Sequence, residues 1–258
     1  MIHTQERSRA KLEQEIRTAL YTKSPRLKME LIGTSSKMLL GRGLDYLCGV
    51  VHLQPHNSGG FGTLCPMSTP QCREACLVNS GRMVGKQARD GRQWKTELYQ
   101  RHPSLWRELM SFELRRFSNL ARKQGLGCSV RMDGTSDTGE AENWTDECRK
   151  LEIKQYEYTK VFSRAIKRPW LYTFSYSGTG INHTQALLIL EQKGNVAVVF
   201  GIGKKDPLPK EWNGFEVIDG DKHDLRFLDP LGVVVGLRVK GTKQIKAMTN
   251  KFIQEVTQ

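Results

Sequence analysis

No stretch of the sequence approaches the roughly 18 consecutive apolar residues that a membrane-spanning helix needs, so no transmembrane segment is expected. The opening run MIHTQERSRAKLEQEIR is too polar for a secretory signal, which points to a protein that stays in the cytoplasm. Internal repeats and low-complexity tracts are missing, which leaves a globular chain rather than a repeat array. Acidic residues are scarce. Twenty-seven Asp and Glu stand against 40 Lys and Arg, a net charge of +13. That excess points to an anionic partner, nucleic acid being the commonest, or to a charge that serves solubility alone. Six cysteines in 258 residues, with no secretory signal, argue against a disulfide scaffold and leave thiols free for metal binding or chemistry.

At 38% hydrophobic and 26% charged, the composition is that of a folded domain. Residues 1–28 read as a basic helix and loop, either packed on the main body or forming an arm, with Ser24-Pro25 as its stop. Residues 29–258 read as one α/β domain. LCGVVHL (47–53) is an expected strand, followed by a turn-rich loop. Two helices are expected over 81–101 and 104–124. The second has Ser104 as its cap, Leu105, Leu109, Phe112 and Leu120 at helical spacing, and Gly125 as its stop. CSVRM, YEYTKVF, residues 170–176, NVAVVFGI, FEVIDGD and GVVVGLRVKG read as strands. Helices are expected near 145–151, over HTQALLILEQKG and over 241–257. Such alternation means a mainly parallel sheet with helices outside. About six strand units suit a partial (β/α)6-type barrel, with a doubly wound open sheet as the alternative.

Polar motifs follow the strands, where parallel folds build their sites. The first is LCPMSTPQCREACLVNSGR, with Cys65, Cys72 and Cys76 spaced Cys-x6-Cys-x3-Cys. Thiolates this close suit a 4Fe–4S cluster with one open iron, or zinc with a fourth ligand from His52, His56 or Cys48. Cys48, Cys128 and Cys148 sit in strand- or helix-like contexts and read as buried small residues. Three cysteines in the loop after the first strand of a six-unit partial barrel resemble the layout of radical S-adenosylmethionine enzymes, whose usual spacing, Cys-x3-Cys-x2-Cys, differs. That likeness implies S-adenosylmethionine as a cofactor near the SGTG turn, with Ser175, Ser177, Gly178 and Gly180.

Asp133 and Asp137 in VRMDGTSD are either paired carboxylates for proton transfer or metal binding, or the acceptors of an Asx-type turn. Tyr158 and Lys160 share one strand face and suit substrate contact, or simply an exposed face. VIDGDKHDLRFLDP gathers Asp219, Asp221, Asp224 and Asp229 around Arg226. It lacks the spacing of an EF-hand loop and reads as a salt-bridged turn around a functional Asp219 or Asp221. His183 reads as a surface residue or one near the site. Arg82, Lys86, Arg89, Arg92 and Lys95, with Trp94 among them, suit phosphate contacts beside a stacking aromatic, or a solvated helix face.

LCPMSTPQCREACLVNSGR, VRMDGTSD, YEYTK, GNVAVVF and above all LPKEWNGFEVIDGDKHDLRFLDPLGVVVGLRVKG resemble the bacteriophage gene product 88 family over residues 46–241. The resemblance implies a phage protein made in the bacterial cytoplasm and leaves residues 1–28 outside it. Together these readings point to a metalloenzyme that uses an iron–sulfur cluster to modify DNA, RNA or a nucleotide. The alternatives are a zinc-stapled nucleic-acid-binding protein and a zinc-dependent hydrolase or nuclease.

Overall fold

Parallel strand pairing organises the chain, which the computed structural model describes over residues 8–21, 28–34, 39–178, 180–240 and 252–255. Strand β1 (Tyr46–Val50) pairs in parallel with β2 (Gly127–Arg131), and β2 pairs in parallel with β3 (Ile153–Gln155). After Tyr156 alone, the extended run continues as β4 (Glu157–Thr159), which belongs to a second sheet. There β4 pairs with β5 (Tyr172–Ser175), β5 with β6 (Val196–Phe200) and β6 with β9 (Val234–Arg238); β9 then pairs with β8 (Phe215–Asp219). All of these are parallel, and only the short β7 (Glu211–Trp212) joins β8 in antiparallel fashion. The fold is therefore mixed α/β with mainly parallel sheets. It does not close: among the described residues, β1 and β3 are the edges of the first sheet and β4 and β7 those of the second, with Gly33 bridging Val50 at the β1 edge.

The order is sequential from β1 to β6, so each crossover steps in one direction and its helix falls on the same face. Helix α1 (Arg9–Ala19) precedes the sheet, and the short α2 (Pro70–Glu74) lies in the cysteine loop. They are followed by α3 (Lys86–Arg101), α4 (Pro103–Lys123), α5 (Thr145–Lys150), α6 (Phe162–Lys167) and α7 (Asn182–Glu191). Helix α4 buries Trp106, Leu109, Met110, Leu114 and Phe117, a stripe at three- and four-residue spacing, against β1 and β2. It starts with Pro103 in its first turn, where the missing N–H costs nothing, rather than with Ser104 as cap. Gly125, at φ 66°, ends it as expected. Gly49 allows this approach: a Cβ there would lie 2.4 Å from Ile32 Cγ2 and 3.0 Å from the Phe117 ring.

Helix α1 belongs to the same core. Leu12 and Ile16 are fully buried, and Arg9 pairs with the buried Glu113 of α4 at 2.9 Å. The other face of the first sheet carries Tyr46, Cys48, Val50 and Tyr156, covered by Leu225 and Phe227 from the segment after β8. The helix expected over 241–257 falls largely outside the described residues. Within it, Ile253–Gln254 forms a strand, β10, parallel to β6 at Val199 and Phe200, so that part of the expectation is corrected.

Candidate functional site

The cysteine loop leaves β1 and folds back over the carboxyl ends of β2 and β4. Thr69 caps α2 by accepting the Cys72 N–H at 3.1 Å, and Pro70 occupies the first turn. The sequence Ser-Thr-Pro-Gln-Cys thus fixes Cys72 in the first turn of that helix, and Cys76 follows its end. Cys65 Sγ accepts the His56 N–H at 3.2 Å, and its neighbour Leu64 accepts the Asp137 N–H at 2.8 Å, which ties this loop to DGTSD. All three thiols are free and partly buried. Burial pushes Cys65 up to about 12, with Asp137, Cys76 and Cys72 adding to the rise, and burial raises Cys76, with Cys72 adding to it; the three therefore share one electrostatic neighbourhood.

Two cations lie in that neighbourhood. Lys160 follows β4, and burial alone would lower its pKa. Hydrogen bonding to Cys72 and the charges of Cys72, Asp137 and Cys65 outweigh burial and raise it. Its ammonium lies 5.5 Å from the centre of the Phe252 ring, next to β10. Arg92 is 4% exposed and donates to Gln54 Oε1 at 3.2 Å and Met83 O at 3.1 Å; burial lowers its pKa and Cys76 raises it. Neither forms an ion pair with a carboxylate among the described residues. No three His, Cys, Asp or Glu side chains among these residues come together closely enough to hold a single metal ion.

DGTSD sits beside the cysteines with its carboxylates already engaged. Asp133 accepts from Ser136 Oγ, the Thr138 and Gly139 N–H groups and Thr138 Oγ1, all within 3.0 Å, and so organises its own loop. Asp137 reaches across to accept from Thr159 Oγ1 at 2.7 Å, the Lys160 N–H at 2.8 Å and Arg164 at 2.9 Å; burial still raises its pKa. Beneath them the fully buried Glu157 accepts the N–H groups of Met132 and Asp133. A cleft of about 890 Å³ opens beside Leu64 and Pro66, lined by Tyr99, Arg107, Asp137, Asn143 and Arg164. That volume is in the range of small-molecule sites.

The remaining sequence-read residues divide between this site and elsewhere. Tyr158 lies on the opposite face from Glu157, with Arg131 stacked 4.5 Å from its ring centre. Ser177 donates its N–H to Asn182 Oδ1 at 2.6 Å, and Gly178 and Gly180 take positive φ. This turn after Ser175 lies at the same end of the sheet as the cysteines, but among the described residues no hydrogen bond or ion pair joins it to them. Asp219 and Asp221 bind Arg238, and Asp221 also binds Lys240 at 3.1 Å, which makes them a surface ion network. Arg82, Lys86 and Arg89 are exposed, Lys86 being paired with Asp90. Arg92, Trp94 and Lys95 turn inward instead. Trp94 is 6% exposed in the core, which leaves no face for a base, and Lys95 donates to Leu31 O at 2.8 Å. Of the proposed fourth zinc ligands, Cys48 is buried under the other face of the sheet and the His56 ring bonds Asn57.

Arg131 and Glu157 escaped the sequence reading. The signal was there: each is a charged residue inside a short strand otherwise built for burial, which requires a buried partner. No curated protein and no solved structure matches the chain. A family model described as Gene product 88 matches residues 7–255, so α1 lies inside the matched region rather than outside it. The chain belongs to the bacteriophage gene product 88 family.

Proposed function

We propose that the protein is an iron–sulfur enzyme in which Cys65, Cys72 and Cys76 hold a 4Fe–4S cluster, with S-adenosylmethionine as cofactor and a nucleic acid or nucleotide as substrate. The observation that carries this reading is the meeting of three thiols with two cations, the half-buried Lys160 and the buried Arg92, neither of which forms an ion pair with a carboxylate among the described residues. Buried charge without a counter-charge is costly, and an anionic thiolate–metal centre supplies one. Thiolates that bind different irons of a cluster stand further apart than thiolates sharing one ion, which is consistent with the lack of a single-ion group. Ligation would deprotonate thiols that burial otherwise keeps protonated.

Such a cluster, when bound, supplies single electrons. The chain's own part is to balance its charge through Lys160 and Arg92 and to hold the surrounding loops through Asp133 and Asp137. The cleft beside Cys65 admits a substrate, and the exposed Arg82, Lys86 and Arg89 contact phosphates. The sequential strand order supports a partial barrel with the cysteines at its carboxyl end, and SGTG on the same rim supports the cofactor site. Membership of a phage family supports a protein made in the bacterial cytoplasm, and no described helix is long and apolar enough to cross a membrane.

Anaerobic purification with iron and sulfide analysis tests the reading. The expected product is brown, absorbs broadly near about 400 nm as thiolate-held clusters do, and loses colour on Cys65→Ser, Cys72→Ser or Cys76→Ser but not on Cys128→Ser. A colourless protein with stoichiometric zinc refutes it.

A further inference from the structure

The inner face of the first sheet, away from the helices, carries a polar layer that the cluster does not explain. His52 and Arg131 lie on it, with Tyr158 of β4 stacked on Arg131 beside them, under the segment that contains Asp224 and Arg226. His52 Nδ1, Arg131 Nε, Tyr158 Oη and Arg226 Nε are all buried, and none has a hydrogen-bond partner among the described residues, although the Arg226 guanidinium also pairs with Asp229 at 3.2 Å and donates to His223 O. Native proteins leave few such groups, and each needs an explanation. The missing side chain of Gly134 leaves room for the His52 imidazole, since a Cβ there would lie 2.5 Å from Nδ1.

We infer that this face, from His52 across Arg131 to Tyr158, binds an oxyanion, the phosphate or carboxylate group of a small ligand. The unsatisfied atoms of the tyrosine and the two arginines are donors, and a neutral imidazole can add a fourth N–H. His52 stays neutral because burial, then the charges of Arg131, Lys95 and Arg92, pull its pKa down to about 3, with Asp224 alone opposing. Arg131 is answered by Asp224 at 3.4 Å and Glu157 at 3.9 Å. Among the described residues the hydrogen bonds of Lys95 and Arg92 go to neutral oxygens, Glu113 and Glu30 acting on Lys95 through charge alone, and at His52 the three cations outnumber the one opposing carboxylate, Asp224. Lys160 continues the Tyr158 face by two residues and reaches Cys72. A ligand anchored by its oxyanion therefore extends toward the thiols, a placement that rests on the proposed function although the anion site does not.

Titration of the full-length protein with inorganic phosphate, and separately with acetate, followed by calorimetry, tests this. One ion is expected to bind per chain, with Tyr158→Phe and His52→Gln each weakening it about tenfold, as loss of one hydrogen bond to a charged group predicts. Thermal unfolding checks that both variants fold, and both spare the Arg131–Asp224 pair. Tighter phosphate than acetate assigns a phosphate ligand, and the reverse assigns a carboxylate; either supports the site. No stoichiometric binding of either ion, or binding lost in Arg82→Gln/Lys86→Gln/Arg89→Gln and unchanged in Tyr158→Phe, overturns it. Iron analysis of the same samples separates the two readings: anion binding without iron sinks the cluster alone, and iron without anion binding sinks this site alone.

Discussion

His52 makes the stability of this protein depend on pH in a way that one substitution can expose. The native ring resists protonation down to about 3, against 6.5 for an unperturbed histidine, because it is buried and lies among Arg131, Lys95 and Arg92. Below pH 6.5 the unfolded chain takes up a proton that the native ring refuses, so the unfolded state is stabilised relative to the native one as pH falls. Each unit is worth about 1.4 kcal/mol. The contribution is nil at pH 7.5, reaches about 2 kcal/mol at pH 5 and keeps growing until the native ring itself titrates. Carboxylates also titrate in this range, so the informative quantity is the difference between wild type and His52→Gln. Urea unfolding at pH 7.5 and pH 5.0 measures it: wild type should lose about 2 kcal/mol more than the variant. Parallel losses in the two proteins would refute the claim that the native site excludes imidazolium.

Other perturbations test separate parts of the structure. Gly49→Val forces a side chain into Ile32 and Phe117 and should cost about 1–3 kcal/mol in denaturant unfolding. Glu157→Gln leaves a buried N–H of Met132 or Asp133 facing an amide nitrogen; a stability loss of about 1–3 kcal/mol is expected, and an unchanged midpoint would deny the carboxylate its bridging role. Lys160→Met removes a cation beside Cys72, so iron retained after anaerobic desalting should fall although all three cysteines remain. If the exposed basic face contacts phosphates, Arg82→Gln/Lys86→Gln/Arg89→Gln should lower the salt slope of nucleic-acid affinity by about one per residue in filter binding.

Much of this arrangement is written locally. Alternating apolar strands and amphipathic helices announce parallel pairing, and Thr-Pro ahead of Cys72 announces a capped turn. Other features depend on contacts distant in sequence. Nothing in GVVVGLRVKG says that β9 slips between β6 and β8. Strand β3 is three residues long with an exposed lysine in its middle, which is too short to show a period. The basic stretch after the cysteines misleads for a different reason. Its charges look solvated, yet Trp94 and Leu98 stand four residues apart and mark the buried side of α3, and this drags Arg92 and Lys95 inward. DGTSD reads equally well as acid–base pair or turn, because the deciding partners of Asp137 come from Thr159 to Arg164.

The run from Ile153 to Thr159 serves both sheets, with Tyr156 at the crossing. Since alternate residues of a strand face opposite ways, a slip of one residue there would turn Tyr156 and Tyr158 toward the helices and Glu157 toward Arg131 and Asp224. The buried acceptor for Met132 and Asp133, the aromatic support for Arg131 and the direction of Lys160 would all be lost in one movement. The chemistry of both faces thus hangs on a single alignment, and the bonds of Asp137 to Thr159 and Lys160 are the latch that holds it.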